Sequence, residues 1–317
     1  MNKSPAPVTF RLLQRRAKAL QRHLPEAVKG DDHGVHQARV ATRRLREAVP
    51  VLAPGRTNGP AGKARRKIRR LTRALGSVRE LDVTLQLLDE LARSERVPRV
   101  GVEEVRAHVM AERDTRRAVM LRRLARVDAE KLNRRLATVA ASLTDSTDEG
   151  WRTVLSTRLL KRAKRLSSAV EAAGQMYEPE RLHDVRIAAK KLRYGLELAA
   201  EGGATAAAQH VRTMKRAQEL LGRLNDFHVL QRHVSAVQAV GEGDRPGLHT
   251  ALASLASHIE GECRHLHGRY LVTAPRLRDV CAAVSAQVVP RIDRRSRRPI
   301  KMEMRPRAAA GHAGRRR

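Results

Sequence analysis

The chain has 317 residues and a net charge of +32; 41% of its residues are hydrophobic and only 2% are aromatic. That hydrophobic fraction is enough for a folded core, and the lack of an apolar run of about 18 residues argues against a membrane-spanning helix. Two cysteines, Cys263 and Cys281, are too few for a disulfide framework, and the N-terminal segment has no secretory apolar stretch. We therefore expect a protein of the reducing cytoplasm.

The first half of the sequence predicts a succession of helices and shows no strand pattern. The predicted helices are Val8 to Leu24, the segment between Asp32 and Pro54, a basic segment from Lys63 to Gly76, and residues 81–91, 102–126 and 128–143. Pro25 is expected to stop the first helix, and Pro50 to kink the second or end it a turn early. Asp31 and Asp32 favour a helix start, since acidic groups stabilise helix N-termini.

The second half predicts the same scheme after a short acidic linker at residues 144–150. Its predicted helices are residues 151–173, 179–200, 204–222, 225–240, 247–272 and 274–289, with Pro179 suited to a first helical turn. Residues 290–317 lack an amphipathic period and are predicted to form a disordered basic tail. The 290 residues that precede Arg291 keep a net charge of +23. The folded part itself should therefore attract polyanions.

Two sequence blocks occur twice in the same order, which predicts an internal duplication. HQARVATRRLR at residues 36–46 matches HDVRIAAKKLR at 183–193, and LGSVRELDV at 75–83 matches LGRLNDFHV at 221–229. We predict an all-α fold of two antiparallel helical bundles related by a pseudo-twofold axis. The predicted organisation is an N-terminal extension (1–7), repeat one (8–143), the linker, repeat two (151–289) and the tail.

Each copy of the first block predicts a helix with one cationic and one apolar face, at about 100° per residue. The cationic faces carry His36, Arg39, Arg43 and Arg46 in the first copy, and His183, Arg186, Lys190 and Arg193 in the second. The apolar faces carry Ala38, Ala41, Leu45, Val49 and Leu52, and Val185, Ala188, Leu192, Leu196 and Ala199. Solvated faces usually mix charge signs, because opposite charges one turn apart stabilise a helix. The two cationic faces, which we also call the cationic stripes, contain a single acid, Asp184, so we predict that they bind an anion.

A second basic helix is predicted in each half. One face of the first carries Lys63, Arg66, Arg70 and Arg73, with Arg69 near its edge. The second copy is thinner, with Arg212, Lys215 and Arg216, and with Glu219 at the position of Arg73. We expect the basic helices to line one groove in each half, or a channel at the interface between the halves.

Taken together, the four blocks resemble the CHAD family, the conserved histidine α-helical domain, over residues 8–289. One departure is Glu80, where the family usually has Asp after the residue equivalent to Arg79. The resemblance implies two four-helix bundles with pseudo-twofold symmetry and a central basic surface that binds inorganic polyphosphate. The implied binding residues are His36, Arg39, Arg43, Arg44, Arg46, His183, Arg186, Lys190, Lys191 and Arg193, and, on the second basic helices, Lys63, Arg66, Arg70, Arg73, Arg212 and Arg216.

Polyphosphate suits these stripes because a flexible polyanion without bases needs dense Arg and Lys and no stacking residues. The alternative is nonspecific nucleic-acid binding, to which the tail would add affinity. Single-strand binders usually interleave aromatic residues, and neither stripe holds one. We expect no membrane partner. We expect a cytoplasmic location, in which the protein would associate with polyphosphate granules.

A second alternative is phosphoryl transfer through a phosphohistidine at His36 or His183. The sequence has no GxxxxGK[ST] loop and no acidic cluster suited to Mg²⁺, and equal histidines in both halves suit symmetric binding. We therefore predict no catalytic residue, no cofactor and no enzymatic activity.

Two groups of residues invite a metal interpretation. Cys263, His265 and His267 alternate along a helix, so neighbouring members point about 200° apart and are not expected to form a zinc site. The second blocks contain the acids Glu80, Asp82 and Asp226. We expect them to orient arginines or cap helices. The sequence therefore predicts no metal site.

Overall fold

The computed structural model describes residues 6–54, 59–143, 148–240 and 245–296, and within these ranges it contains no strand. The helices are α1 (Val8–Lys29), α2 (Asp32–Leu52), α3 (Gly59–Ala74), α4 (Gly76–Ala92), α5 (Arg99–Ala125), α6 (Ala129–Ala141), α7 (Asp148–Ala173), α8 (Pro179–Glu201), α9 (Thr205–Val240) and α10 (Pro246–Ser296). The predicted all-α fold is confirmed. None of the described helices is long and apolar enough to cross a membrane.

Two sets of four helices each pack around a closed circuit of contacts. In the first half the circuit is α1–α2–α3–α6, and in the second half it is α7–α8–α9–α10. The hairpin of α4 and α5 lies between them, since both of its helices contact α9 and α5 also contacts α10. Helix α2 touches α7 and α8 directly. The two halves are thus joined at α2 and at the hairpin, while the internal duplication remains a prediction.

The apolar faces predicted for the repeated blocks form part of the core. All ten predicted side chains on α2 and α8 are buried, from Ala38 at 0% to Ala199 at 8% exposure. Many core residues are Ala and Val, whose small side chains let the helices pack closely around the buried Leu residues. With the apolar faces turned inward, the opposite faces of α2 and α8 are left for the charged residues.

The prediction that Pro25 stops the first helix is wrong. Helix α1 continues through Pro25 to Lys29 and ends at Gly30, which adopts the left-handed φ of 89°. Proline costs a helix one backbone hydrogen bond, but Leu24 and Ala27 on either side of it are fully buried and hold the turn in place. Asp31 then starts α2 by accepting a hydrogen bond from the Gly34 amide at 2.6 Å, as the acidic pair predicted.

Helix α2 also passes through Pro50 and ends at Leu52. The segments 204–222 and 225–240, predicted as separate helices, form the single helix α9. Buried Leu221, Leu224 and Phe227 continue its apolar face across the expected break. Similarly, α10 replaces two predicted helices and runs to Ser296, into the predicted tail. Residues 297–317 of that tail and residues 144–147 of the predicted linker lie outside the described residues.

Candidate functional site

A cavity of about 1070 Å³ opens between the two halves of the chain. Its polar lining includes His36, Arg39 and Arg43 from α2, Arg79 and Glu80 from α4, His183, Arg186 and Lys190 from α8, and Asn225, Asp226 and His228 from α9. All four repeated blocks therefore contribute to one cavity. Matching positions of the blocks meet there, such as Arg39 with Arg186 and Arg43 with Lys190.

Four of these side chains, Arg39, Arg43, Arg186 and Lys190, form what we call the cationic cluster. Burial, followed by repulsion from Arg43, lowers the pKa of Arg39 to about 10. Burial, followed by repulsion from Arg43, Arg186 and Arg39, lowers the pKa of Lys190 to about 7. The pKa of a basic side chain is lowered in this way where its positive charge is disfavoured. A bound anion would offset that repulsion, so the cationic cluster favours anion binding.

Arg39 reaches its position across the start of α4, where Gly76 leaves room for it. A Cβ on Gly76 would lie 2.7 Å from the Arg39 Nη1, closer than side-chain atoms normally approach. The matching Gly222 on α9 has no neighbouring atom within 4 Å of a Cβ built there. The glycine of the repeated Leu-Gly pair therefore makes space for a cavity arginine in the first half only.

A buried arginine on α1 fixes the motif helix of the first half. Arg16, which is 4% exposed, donates from Nη1 to the Arg44 carbonyl on α2 at 2.9 Å. Its Nη2 and Nε also donate to the two carboxylate oxygens of Glu201 on α8, at 3.0 and 3.3 Å. A forked pair of this kind constrains orientation as well as distance. Arg16 thus ties α2 to the end of α8.

The second half contains a corresponding contact. Arg162 on α7 donates from Nη1 to the carbonyl of Lys191 on α8 at 2.8 Å. Its Nη2 lies 2.6 Å from Glu47 Oε1 on α2. Lys191 occupies the position in its block that Arg44 occupies in the first. Each half therefore supplies an arginine that braces its own motif helix and reaches an acid of the other half, which holds the cationic cluster together.

The two predicted histidines both line the cavity but have different neighbours. Burial lowers the pKa of His36, and the charges of Arg79, Arg39 and His33 lower it further. Burial is therefore the main cause of the lowered pKa of His36, and the neighbouring positive charges are a secondary cause. His183 Nδ1 lies 2.9 Å from Asn225 Oδ1, within hydrogen-bonding distance.

Four acids line the same cavity, so its charge is uneven. They are Glu80, Glu180, Asp184 and Asp226. Glu80 pairs with Arg232 at 3.3 Å, and burial raises the pKa of Asp226 although Arg186 opposes this. Asp82 lies outside the cavity lining and accepts a hydrogen bond from Arg113 at 2.7 Å.

The comparisons with known proteins agree with this architecture. The family model of the CHAD domain matches residues 11–235. The chain belongs to the CHAD family. No curated protein matches the chain.

Two solved structures share the CHAD fold seen here. The crystal structure of the CHAD domain from the plant Ricinus communis is 23% identical, with a TM-score of 0.61 over 87% of this chain and 91% of that one. PptA from Streptomyces chartreusis is 15% identical, with a TM-score of 0.60 over 85% of this chain and 99% of that one. At these identities the likeness concerns the fold.

Of the sixteen binding residues predicted from the CHAD resemblance, six line the cavity: His36, Arg39, Arg43, His183, Arg186 and Lys190. The other ten do not line it: Arg44, Arg46, Lys63, Arg66, Arg70, Arg73, Lys191, Arg193, Arg212 and Arg216. Glu197 engages two of these, Arg193 at 2.6 Å and Arg44 at 3.8 Å. For the ten, a binding role stays a prediction.

The predicted second basic helices contribute none of their predicted binding residues to the cavity lining. The basic side chains predicted to bind on α3, such as Arg70, are exposed and none of them lines the cavity. Helix α4 supplies Arg79 instead, and α9 supplies Arg232. Arg79 was within reach of sequence reasoning because it lies in a repeated block of the CHAD pattern. Arg232 lies outside the blocks, and only the packing of α9 brings it to the cavity.

Proposed function

We propose that this CHAD protein binds inorganic polyphosphate in the cavity between its halves. The observation that carries the proposal is the cationic cluster, in which Arg39 and Arg43 of one half face Arg186 and Lys190 of the other. The family is linked to polyphosphate binding. The protein would then hold one segment of a polyanion with basic side chains from both halves at once.

The electrostatics of the cluster favour a ligand with several closely spaced negative charges. Mutual repulsion and burial both disfavour the positive charges of Arg39 and Lys190. An anion between these two side chains reverses that field, so each of them gains a charge-assisted hydrogen bond that water alone does not supply. Because Arg presents a fork of donors, two phosphate oxygens can be held by one side chain.

The length of the site suits consecutive phosphate groups. His183 and Lys190 are seven residues apart on α8, which is about 10 Å at 1.5 Å per residue. The acids Glu180 and Asp184 lie at the N-terminal end of that stretch. Acids repel a polyanion, so they would direct the chain towards the cationic cluster. A single phosphate ion would engage only part of this surface.

The chemistry of the lining favours polyphosphate over nucleic acid. The described lining contains no Phe, Tyr or Trp on which a base could stack. Nonspecific nucleic-acid binding remains the second candidate, because the exposed basic side chains of α3 and the basic tail offer phosphate contacts that do not depend on nucleotide sequence. We assign the cavity to binding rather than catalysis, since its matched residues in both halves suit a symmetric polyanion.

Competition distinguishes these candidates. A labelled polyphosphate bound to the protein is displaced with unlabelled long-chain polyphosphate or with single-stranded DNA of equal charge, at fixed near-physiological salt. We expect polyphosphate to compete at least about tenfold better, roughly 1.4 kcal/mol. Equal competition would show a general polyanion surface and overturn the ligand assignment.

A further inference from the structure

A group of metal-ligand side chains lies outside the cavity, where α5 of the first half packs against α9 of the second. His108 and Glu112 are on α5, four residues apart, and His233 is on α9. The potential ligand atoms of the three side chains all lie within 4.8 Å of one another. Residues four apart on a helix share a face, so both α5 side chains are directed to the same neighbour.

The geometry is close to that of a bound ion. Glu112 Oε2 is 3.7 Å from His233 Nδ1, and the ring centroids of His108 and His233 are 5.7 Å apart. With bonds of about 2.0–2.2 Å in a tetrahedral site, ligand atoms are separated by about 3.4 Å. Small side-chain rotations therefore suffice to close the group around an ion. His108 is exposed and the other two are half-buried, which leaves one side accessible to a water ligand.

The two oxygens of Glu112 have separate partners. Arg116, one turn further along α5, pairs with Oε1, whereas His233 faces Oε2. The arginine can thus orient the carboxylate without occupying the oxygen that would bind the ion. Outer contacts of this kind are common around metal ligands and fix their orientation.

We propose that His108, Glu112 and His233 bind one divalent transition-metal ion of the zinc class, which fastens α5 to α9. Two imidazoles and one carboxylate are a ligand set that Zn²⁺ and neighbouring first-row dications prefer over Mg²⁺ or Ca²⁺. The site uses no residue of the cationic cluster, so it does not depend on the proposed polyphosphate binding. Because the ligands come from both halves, the ion would add a further tie between them.

The test uses the full chain, freed of polyphosphate and treated with a chelator. Zn²⁺ is titrated by calorimetry, Co²⁺ is followed by its visible absorption, and melting temperature is measured with and without Zn²⁺. We expect one ion per chain and a higher melting temperature, because an ion that binds only the folded state stabilises it. His108→Ala, which removes the exposed imidazole, and Glu112→Gln, which keeps the size of the half-buried side chain, should each weaken binding by at least about tenfold.

His265→Ala is the matched control, since it removes one exposed imidazole from α10. It should keep the affinity, the stoichiometry and the melting shift of the unmodified chain. Equal affinity in the unmodified chain and in His108→Ala would overturn the proposal. An equal loss in His265→Ala would overturn it as well, because it would show that Zn²⁺ binds scattered surface histidines.

Discussion

Lys190 is the residue of the cationic cluster whose buried positive charge should destabilise the folded chain most. Burial and the neighbouring arginines lower its pKa from 10.5 to about 7. Between these values the unfolded chain holds more protons on this residue than the folded chain does, so stability should rise with pH across that window. At about pH 7 the shift corresponds to about 4 kcal/mol of unfolding free energy, of which we expect about 1–3 kcal/mol because the open cavity admits water.

Replacing Lys190 by Met keeps the length of the side chain and removes its charge. Lys190→Met should therefore unfold at higher urea concentration than the unmodified chain at about pH 7, with a gain of about 1–3 kcal/mol. By about pH 9 that gain should shrink, since Lys190 of the unmodified chain is then largely neutral. Lys191→Met is the matched control: the adjacent side chain is exposed, and its loss should change stability by no more than about 0.5 kcal/mol.

Urea unfolding followed by circular dichroism at both pH values measures these differences. Destabilisation by Lys190→Met would refute the reasoning, as would a gain of the same size in Lys191→Met. A gain that stays constant between the two pH values would show that the charge of Lys190 is not what opposes folding.

Two further predictions concern binding. Gly76→Ala should weaken polyphosphate binding several-fold in titrations because its Cβ displaces the Arg39 guanidinium, whereas Gly222→Ala should leave affinity intact and add up to about 1 kcal/mol of stability; equal effects would contradict this account of Gly76. A bound polyanion should raise the pKa of Lys190 from about 7, so affinity should fall as pH rises from about 7 to 9, by up to about tenfold per pH unit for one proton. Lys190→Met should flatten that dependence, and an unchanged slope would exclude this residue.

The sequence predicted the fold and part of the site because both depend on helical periodicity. One apolar and one cationic face per motif helix follow from spacing alone, and the predicted apolar side chains are indeed buried. Burial of those faces determines which residues can reach a shared cavity, so six of the predicted bases and histidines meet there. The local pattern of charge therefore includes all four residues of the cationic cluster.

Features that depend on tertiary contacts could not be predicted in the same way. Pro25 signals a helix end locally, but packing of the following turn overrides it. The braces made by Arg16 and Arg162 join helices that are distant in sequence. His233 on α9 likewise meets Glu112 on α5 through the packing of two helices that are far apart in sequence. None of these contacts has a signal in sequence spacing.

The most direct test of the central claim compares two charge reversals of equal size. Arg43→Glu with Lys190→Glu reverses charge inside the cavity, and Arg70→Glu with Arg73→Glu does so on the exposed face of α3. Polyphosphate affinity of both variants is measured at one salt concentration, with helicity checked by circular dichroism. We expect the cavity pair to lose at least about 100-fold, roughly 3 kcal/mol for two charge-assisted contacts, and the α3 pair to lose far less. Equal losses would contradict the account, because they would mean that the overall charge of the chain, and not the cavity, binds the polyanion.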